Sequence, residues 1–394
     1  MDKIFIMNLG TTSFKFKLFL FGAETQEVLC EGELESIGSK SSHWSMRYPD
    51  GRHAEGDRPI PDHGVAFAHF TELLQRDGTL KSMGDLDAVG YKAVHGGNLS
   101  GTCPVDDELL AEMERFSPML PAHNPIYINA MRLIRQQFPQ LRQVARFETS
   151  FHATIPEYRT VYGVPYEWHK ELGVRKYGFH GSSHQYIAGK IAELEPAAKR
   201  VVNCHLGGSS SICGIFEGKS IATSMGATTQ SGLFNNNRVG DFDIFATPAV
   251  MAKYDCSFQD VLNTLSKKSG LLGVSGVSND LREVMEAMEA GNQQAKLAVD
   301  ALVDNIVGYA GMYAAYMGGL DALVFTGGIG TNSAYIRQKV SEKFAWLGAK
   351  LDEEKNNGRG DSKISTPDSK VSLWRLKTNE ELVVARCVWE YIHS

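Results

Sequence analysis

The chain has 394 residues, room for two or three domains of ordinary size, with 43% apolar and 22% charged residues in ordinary globular proportion. Its net charge of -6 gives no electrostatic reason to expect nucleic acid or an anionic membrane as partner, so small anionic ligands must be held by local cationic clusters. The six scattered cysteines, with no C-x-x-C pair, suit reduced thiols better than a disulfide framework or a zinc site. The opening MDKIFIMNLG lacks the pattern of a signal peptide, and no apolar run reaches the ~18 residues of a membrane span. The expectation is a cytoplasmic protein.

In chain order, Lys3-Ile4-Phe5-Ile6-Met7 reads as a strand, Asn8-Leu9-Gly10-Thr11-Thr12-Ser13 as a Gly-rich turn, and Phe14 to Leu20 as a second strand alternating apolar and basic residues. Val28 to Leu34 completes a meander. Helical patterns follow at 64–76, 106–116, 124–138 and 183–194. The opening grammar then returns. Arg200 to Cys204 is a strand, His205 to Ser211 a polar turn, and Ile212 to Phe216 and Lys219 to Ser224 are strands. Two such hairpins about 200 residues apart indicate an internal duplication. Further helices are expected at 257–266, 280–290 and 293–317. A buried strand, Asp321 to Phe325, then runs into Gly327-Gly328-Ile329-Gly330, and a helix spans 333–345. The polar segment 353–370 reads as a surface excursion. Strands and helices in two similar halves predict an α/β protein with a cleft between two lobes.

Gly-rich turns expose backbone N–H groups, and their Ser and Thr hydroxyls add donors, so each hairpin turn can hold phosphate oxygens. Lys15 adds a point charge beside the first. Gly327 to Gly330 opens a helix after a strand, where backbone approaches a ligand closely. It is neither a Walker A motif nor a dinucleotide fingerprint. Histidines recur in Gly/Pro loops: Val94-His95-Gly96-Gly97, Ala122-His123-Asn124-Pro125 and Phe179-His180-Gly181-Ser182-Ser183-His184. Loop histidines line clefts more often than histidines on apolar stripes do. Arg238, in Asn235-Asn236-Asn237-Arg238-Val239-Gly240, can contact two phosphate oxygens at once.

Taken together, Asn8-x-Gly-Thr-Thr-Ser-Phe-Lys15, Lys92-x-Val94-His95-Gly-Gly, His123-Asn-Pro, Phe147-Glu-Thr-Ser-Phe-His152, Tyr177-Gly-Phe-His180-Gly, His205-Leu-Gly-Gly, Ser269-Gly-Leu-Leu-Gly-Val-Ser-Gly, Asp280-Leu-Arg282, Gly327-Gly-Ile-Gly and Thr378-Asn-Glu-Glu-Leu resemble the acetate kinase family from residue 3 to the C-terminus. The resemblance implies the duplicated ribonuclease-H-like fold of actin, sugar kinases and Hsp70, as a homodimer. It implies an N-terminal lobe over 1–150, joined by a helix at 380–394, for the carboxylate and phosphates. A C-terminal lobe over 151–379 would serve nucleotide binding and dimerisation. The reaction implied is reversible transfer of the γ-phosphoryl group of ATP to a short-chain carboxylate, giving an acyl phosphate and ADP. By the same resemblance, Asn8 and Glu380 hold Mg²⁺ (or Mn²⁺) and Lys15 lies near the phosphates. The nucleotide site is His205, Leu206, Gly207, Gly208 and Ser209, with Asp280, Leu281 and Arg282, and with Gly328, Ile329, Gly330, Thr331 and Asn332. Arg238, His180 and His123 stabilise the transition state, Lys92 faces the substrate carboxylate, and Glu148 takes the catalytic acidic position. A carboxylate is already ionised at neutral pH, so Glu148 is better read as orienting a cation, metal or water than as a proton acceptor.

Several positions depart from the family pattern. Lys92 stands where the family has arginine, losing the planar fork, and Glu148 where it has aspartate. Ala122 replaces a leucine, and Gly226-Ala227-Thr228-Thr229 replaces Gly-Phe-Thr-Pro, while Val94 and Phe179 remain. These changes predict a roomier acid pocket and a substrate larger or more polar than acetate. Gly207-Gly208-Ser209 stands for Gly-Asn-Gly and Thr331 for a glutamate, with the space for adenosine unblocked. Lys92 and Glu148 raise the alternative of a paralogue that binds nucleotide or acyl phosphate without turnover; a kinase with another donor such as pyrophosphate is a separate alternative.

Overall fold

The apolar run Ile4-Phe5-Ile6-Met7 is buried on both faces because its strand, β1 (Asp2–Leu9), is central to a sheet. In the computed structural model, which describes residues 1–394, that sheet has eight strands: β1, β2 (Ser13–Phe21), β3 (Gln26–Glu35), β4 (Ser42–Arg47), β5 (His53–Arg58), β6 (Ala88–Ala93), β7 (Thr102–Pro104) and β8 (Gln143–Phe147), in the order β5-β4-β3-β2-β1-β6-β8-β7. The sheet belongs to a unit made of Met1–Ser150 and Asn379–Ser394. Side chains alternate between its faces. Phe5, Met7, Phe14, Phe16 and Leu18 pack with Phe67 and Phe70 of helix His63–Arg76. Ile4, Ile6, Phe19 and Phe21 pack with Val384, Ala385 and Val388 of helix Glu380–Ile392. Lys15 and Lys17 of β2 lie on that second face too, so the basic and aromatic halves of β2 mark where the helix begins to cover the sheet. Each large side chain buried there contributes about 1.5–3 kcal/mol.

The second unit, Phe151–Thr378, carries a six-stranded sheet: β9 (Arg200–His205), β10 (Ser211–Phe216), β11 (Lys219–Thr223), β12 (Ala322–Thr326), β13 (Ser362–Lys363) and β14 (Ser372–Arg375), in the order β11-β10-β9-β12-β14-β13. Helices Leu281–Glu289, Gln293–Tyr316 and Ala334–Glu342 cover one face and helix Gly181–Leu194 the other. The two sheets repeat one design. In each, three strands form an antiparallel meander, two parallel strands follow on its first strand, and a short strand pairs antiparallel to the last. This is the duplicated ribonuclease-H-like α/β fold.

Three sequence expectations need correction or refinement. The Gly turn after β12 is itself helical, Gly327–Asn332, and is followed by a separate helix, Ala334–Glu342, where one helix over 333–345 was expected. The break comes at Ser333, whose extended backbone and side chain cap the second helix. The polar segment 353–370 does run over the surface, most of it exposed, but it is structured and anchored, with helix Glu353–Asn357, strand β13 and the buried Asn356, Ile364 and Ser365. The buried guanidiniums of Arg337 and Arg375 hold it by donating to the carbonyls of Lys355, Asn356, Gly358 and Gly360. The second-half meander ends at Thr223 rather than Ser224, whose hydroxyl instead accepts from the Ile212 N–H. All six cysteines are free thiols, and no helix is long and apolar enough to cross a membrane.

Candidate functional site

In the first unit the chemistry-bearing residues collect at the C-terminal ends of the parallel strands, where α/β sheets bind ligands. Asn8 sits at the end of β1, opposite Lys15 of β2. Lys92 lies near the end of β6, and Glu148 directly follows β8, its N–H donating to the Ala93 carbonyl at 2.9 Å. Lys92 forms an ion pair with Glu380, both side chains being mostly buried. Burial alone would push the Lys92 pKa down, but the carboxylates of Glu148 and Glu380 outweigh it and hold the ammonium charged, above the usual lysine range. Glu380 is the first residue of helix Glu380–Ile392, placed by the cap Asn379, where the helix dipole favours an acid. Lys15 is exposed and pairs with Glu33 at 3.2 Å.

His123 caps helix Asn124–Gln137 through its backbone alone. Asn124 holds the loop by donating to the carbonyls of His95 and Met113 at 3.1 and 3.0 Å. Val94 is half-buried and Ala122 exposed. Two residues that sequence reasoning missed brace this region. Tyr127 accepts from the Leu9 N–H at 3.0 Å, and burial pushes its phenol up to about 12. His63 Nε2 donates to the carbonyls of Gly10 and, less closely, Ser13, fixing the β1–β2 turn. Each partner is 50 or more residues away in sequence, and no local pattern points to either.

The second unit encloses a cavity of about 560 Å³. Of the expected nucleotide residues, Gly207, Gly208, Asp280, Leu281, Arg282, Gly328, Ile329 and Asn332 line it, joined by Asn236, Met285, Ser333, Ala334 and Tyr335. His205, Leu206, Ser209, Gly330 and Thr331 do not line it. Leu206 is buried, and its carbonyl accepts the N–H groups of Ile329 and Gly330; this stitches the two Gly turns together. Gly327 must be glycine there: it has φ +78°, and a Cβ would meet the Leu206 carbonyl oxygen at 2.4 Å. Gly330 is buried beneath the helix and gives its carbonyl to Arg337. Thr331 bonds back to the Gly327 carbonyl at 2.8 Å. Hydrogen bonds from Arg282 hold the Asp280 carboxyl down at about 2.

Beside the β9–β10 turn lies a cluster of four histidines. His180 has a left-handed backbone, φ 57°, uncommon for a residue with a Cβ. Its ring stacks on His205 with centroids 4.3 Å apart, and its Nδ1 meets the Ser211 hydroxyl at 2.9 Å. His205 is thus placed with His180, its Nδ1 2.8 Å from Ser183 Oγ. His184 and His152 are buried below; burial lowers the His152 pKa to about 4 and holds that of His184 well below the usual histidine value. Phe179, expected on the acid pocket, is buried, and its carbonyl accepts from His152 Nε2 at 3.0 Å. Arg238 donates to the carbonyl of Thr229 at 2.9 Å, so Thr229 orients this arginine through its backbone.

Comparison with known proteins decides what this arrangement belongs to, since the acetokinase family profile matches residues 3–386. The chain belongs to the acetokinase family. An acetate kinase of Halothermothrix orenii is 40% identical over 399 residues, covering 100% of both chains. One of Phocaeicola vulgatus is 40% identical over 390 residues, covering 97% of this chain and 98% of its own. Among solved structures, the acetate kinase of Porphyromonas gingivalis superposes with a TM-score of 0.90 at 35% identity, covering 100% of each chain. A propionate kinase from Francisella tularensis also scores 0.90, at 34% identity, covering 98% of this chain and 99% of its own. Within this acetokinase-family fold, the strand ends of the first unit and the cavity and histidine cluster of the second hold the residues that the sequence motifs single out.

Proposed function

We propose that the chain is a carboxylate kinase, a phosphotransferase with a carboxyl group as acceptor, in which a carboxylate oxygen attacks the γ-phosphorus of ATP. The bond from that phosphorus to the β–γ bridging oxygen breaks, and ADP leaves with the electron pair. The acceptor needs no general base, because it is ionised. The difficulty is bringing one anion up to another, so positioning and cations carry the catalysis. Family membership across residues 3–386 at about 40% identity is the observation that carries this reading.

Each residue set has a role in it. The 560 Å³ cavity takes the adenosine of ATP, with the Gly turns presenting N–H groups to the phosphates and Lys15 adding charge. Arg238 and His180, assisted by His123, stabilise the transferring group. Lys92 faces the substrate carboxylate, and Glu148 orients that lysine. Asn8 and Glu380 offer hard oxygen donors, and no group of three or more His, Cys, Asp or Glu side chains gathers into a closed metal cage. That sparse set fits Mg²⁺, or Mn²⁺, which keeps waters and phosphate oxygens as its other ligands. When bound, the ion neutralises charge on the polyphosphate. Incubating the protein with ATP, Mg²⁺ and C2 to C6 acids, and trapping acyl phosphate as hydroxamate, tests the reading. Turnover with any such acid supports it, and ATP binding without product from any acid refutes it. Within the panel, the small exposed Ala122 favours an acid larger or more polar than acetate; a clear preference for acetate would overturn that part.

A homodimer fits the surface of the second unit, which exposes Tyr158, Trp168, Ile244, Phe245, Tyr254 and Phe258. Light scattering on the purified protein decides between one copy and two. Small substrates, absence of a membrane-crossing helix and free thiols support a cytoplasmic location.

A further inference from the structure

The Ser211 hydroxyl touches two imidazoles, His184 Nε2 at 2.8 Å and His180 Nδ1 at 2.9 Å. A hydroxyl has one proton, so one ring receives it while the other donates its own N–H to the oxygen. Asn203 decides which. With its amide nitrogen, a donor, 2.8 Å from His184 Nδ1 and its own buried Oδ1 without a partner, Asn203 makes Nδ1 the acceptor and leaves the proton on Nε2. Burial, with His152 and His205 close by, keeps His184 neutral. One sense remains for the chain. Asn203 donates to His184, His184 Nε2–H donates to Ser211, and the Ser211 O–H donates to His180 Nδ1. A neutral His180 then carries its proton on Nε2.

We propose that Ser211, backed by His184 and Asn203, is a positioning residue for phosphoryl transfer that fixes neutral His180 as the Nε2–H tautomer. The ring thereby presents a donor, and not a lone pair, to the anionic group in flight, where a lone pair would repel it. This rests on the reading of His180 as a transition-state residue. The surrounding contacts hold the same pose. His152 Nε2–H donates to the Phe179 carbonyl, which forces its Nδ1, 2.8 Å from Ser220 Oγ, to accept. His205 stacks on the His180 ring, and Ser211 is its partner across the β9–β10 ladder. A left-handed backbone at His180 persists where its surroundings over-determine it.

The test is ¹⁵N NMR of the full-length, histidine-labelled protein without ligands, at a pH where the ring is neutral, with His180→Gln used only to assign the signal. The expected wild-type signal is the Nε2–H form in excess. Ser211→Ala should lower the Nε2–H to Nδ1–H ratio about tenfold, the equivalent of one hydrogen bond. Its kcat should fall in parallel while both KM values stay within about twofold. A wild-type Nδ1–H form overturns the proposal without any variant, and so does an unchanged ratio in Ser211→Ala. Acyl phosphate formation alongside an Nδ1–H His180 removes the role of Ser211 alone. Failure of every acid to react removes the kinase reading and this role together.

Discussion

At the strand ends of the first unit, Lys92 lies among the carboxylates of Glu148 and Glu380. At the corresponding ends in the second unit, His205 stacks on His180, and two buried histidines are linked through Ser211, Ser220 and Asn203. The same six-strand scaffold therefore carries two kinds of polar site. One is ionic and tolerates burial because every charge has an opposite neighbour. The other is neutral, and hydrogen-bond direction does the ordering that charge does elsewhere. Buried charge is costly unless paired, and buried neutral groups are costly unless bonded. Duplication thus preserved the framework while each copy met that constraint in its own way.

Arg238, a cation held by a neutral carbonyl, is the side chain whose loss should tell most. Arg238→Ala should lower kcat about 10³-fold in the hydroxamate assay, as loss of an arginine at a transferring phosphoryl group does. A loss of less than tenfold would move the catalytic cation elsewhere. The ionic side is next. Lys92→Met leaves two mostly buried carboxylates without their cation and should cost about 3 kcal/mol in urea unfolding, along with most of the activity. Unchanged stability would mean the pair is solvated. The neutral side predicts a pH effect of similar size. His152 has its pKa lowered from 6.5 to about 4 in the folded protein, so the unfolded chain binds more protons in between. Its contribution is full above pH 6.5 and is lost as pH falls toward 4, about 3 kcal/mol in all. Urea titrations at pH 7, 6 and 5 should show that decline, and His152→Gln should make it shallower, the remainder coming from other buried histidines such as His184.

Smaller effects sharpen the division further. Gly328 lines the cavity, and a Cβ there meets nothing within 4 Å. Gly328→Val should therefore raise the KM for ATP about tenfold by filling space, leaving the KM for the acid alone. Ala122→Leu should shift preference toward acetate by about tenfold or less, the scale set by a few methylenes. A parallel change with every acid would place Ala122 outside the acid pocket.

Much of this was readable from the chain. The two hairpins, the long helices and the order of the site motifs follow from period-two and helical patterning with glycine punctuation. Strands β4 and β5 were not, because His53-Ala54-Glu55-Gly56-Asp57-Arg58 is a mostly exposed edge with no apolar alternation. Short buried strands such as β6, β8 and β14 lack a period of their own, since both faces are covered. Of the site, residues inside motifs were found. His63, Tyr127 and Ser211 were not assigned, because each acts through a partner brought close only by folding. Burial that sets a proton's position leaves no local trace in sequence.

The helix Glu380–Ile392 covers Ile4, Ile6, Phe19 and Phe21, yet it emerges from the ribosome only after the whole of Phe151–Thr378. Until Phe151–Thr378 has been made the first sheet therefore has one bare greasy side, and this late helix both seals that side and delivers Glu380 to Lys92. A nascent chain stopped short of Asn379 should be recognised by chaperones as unfinished, however well its second half has folded.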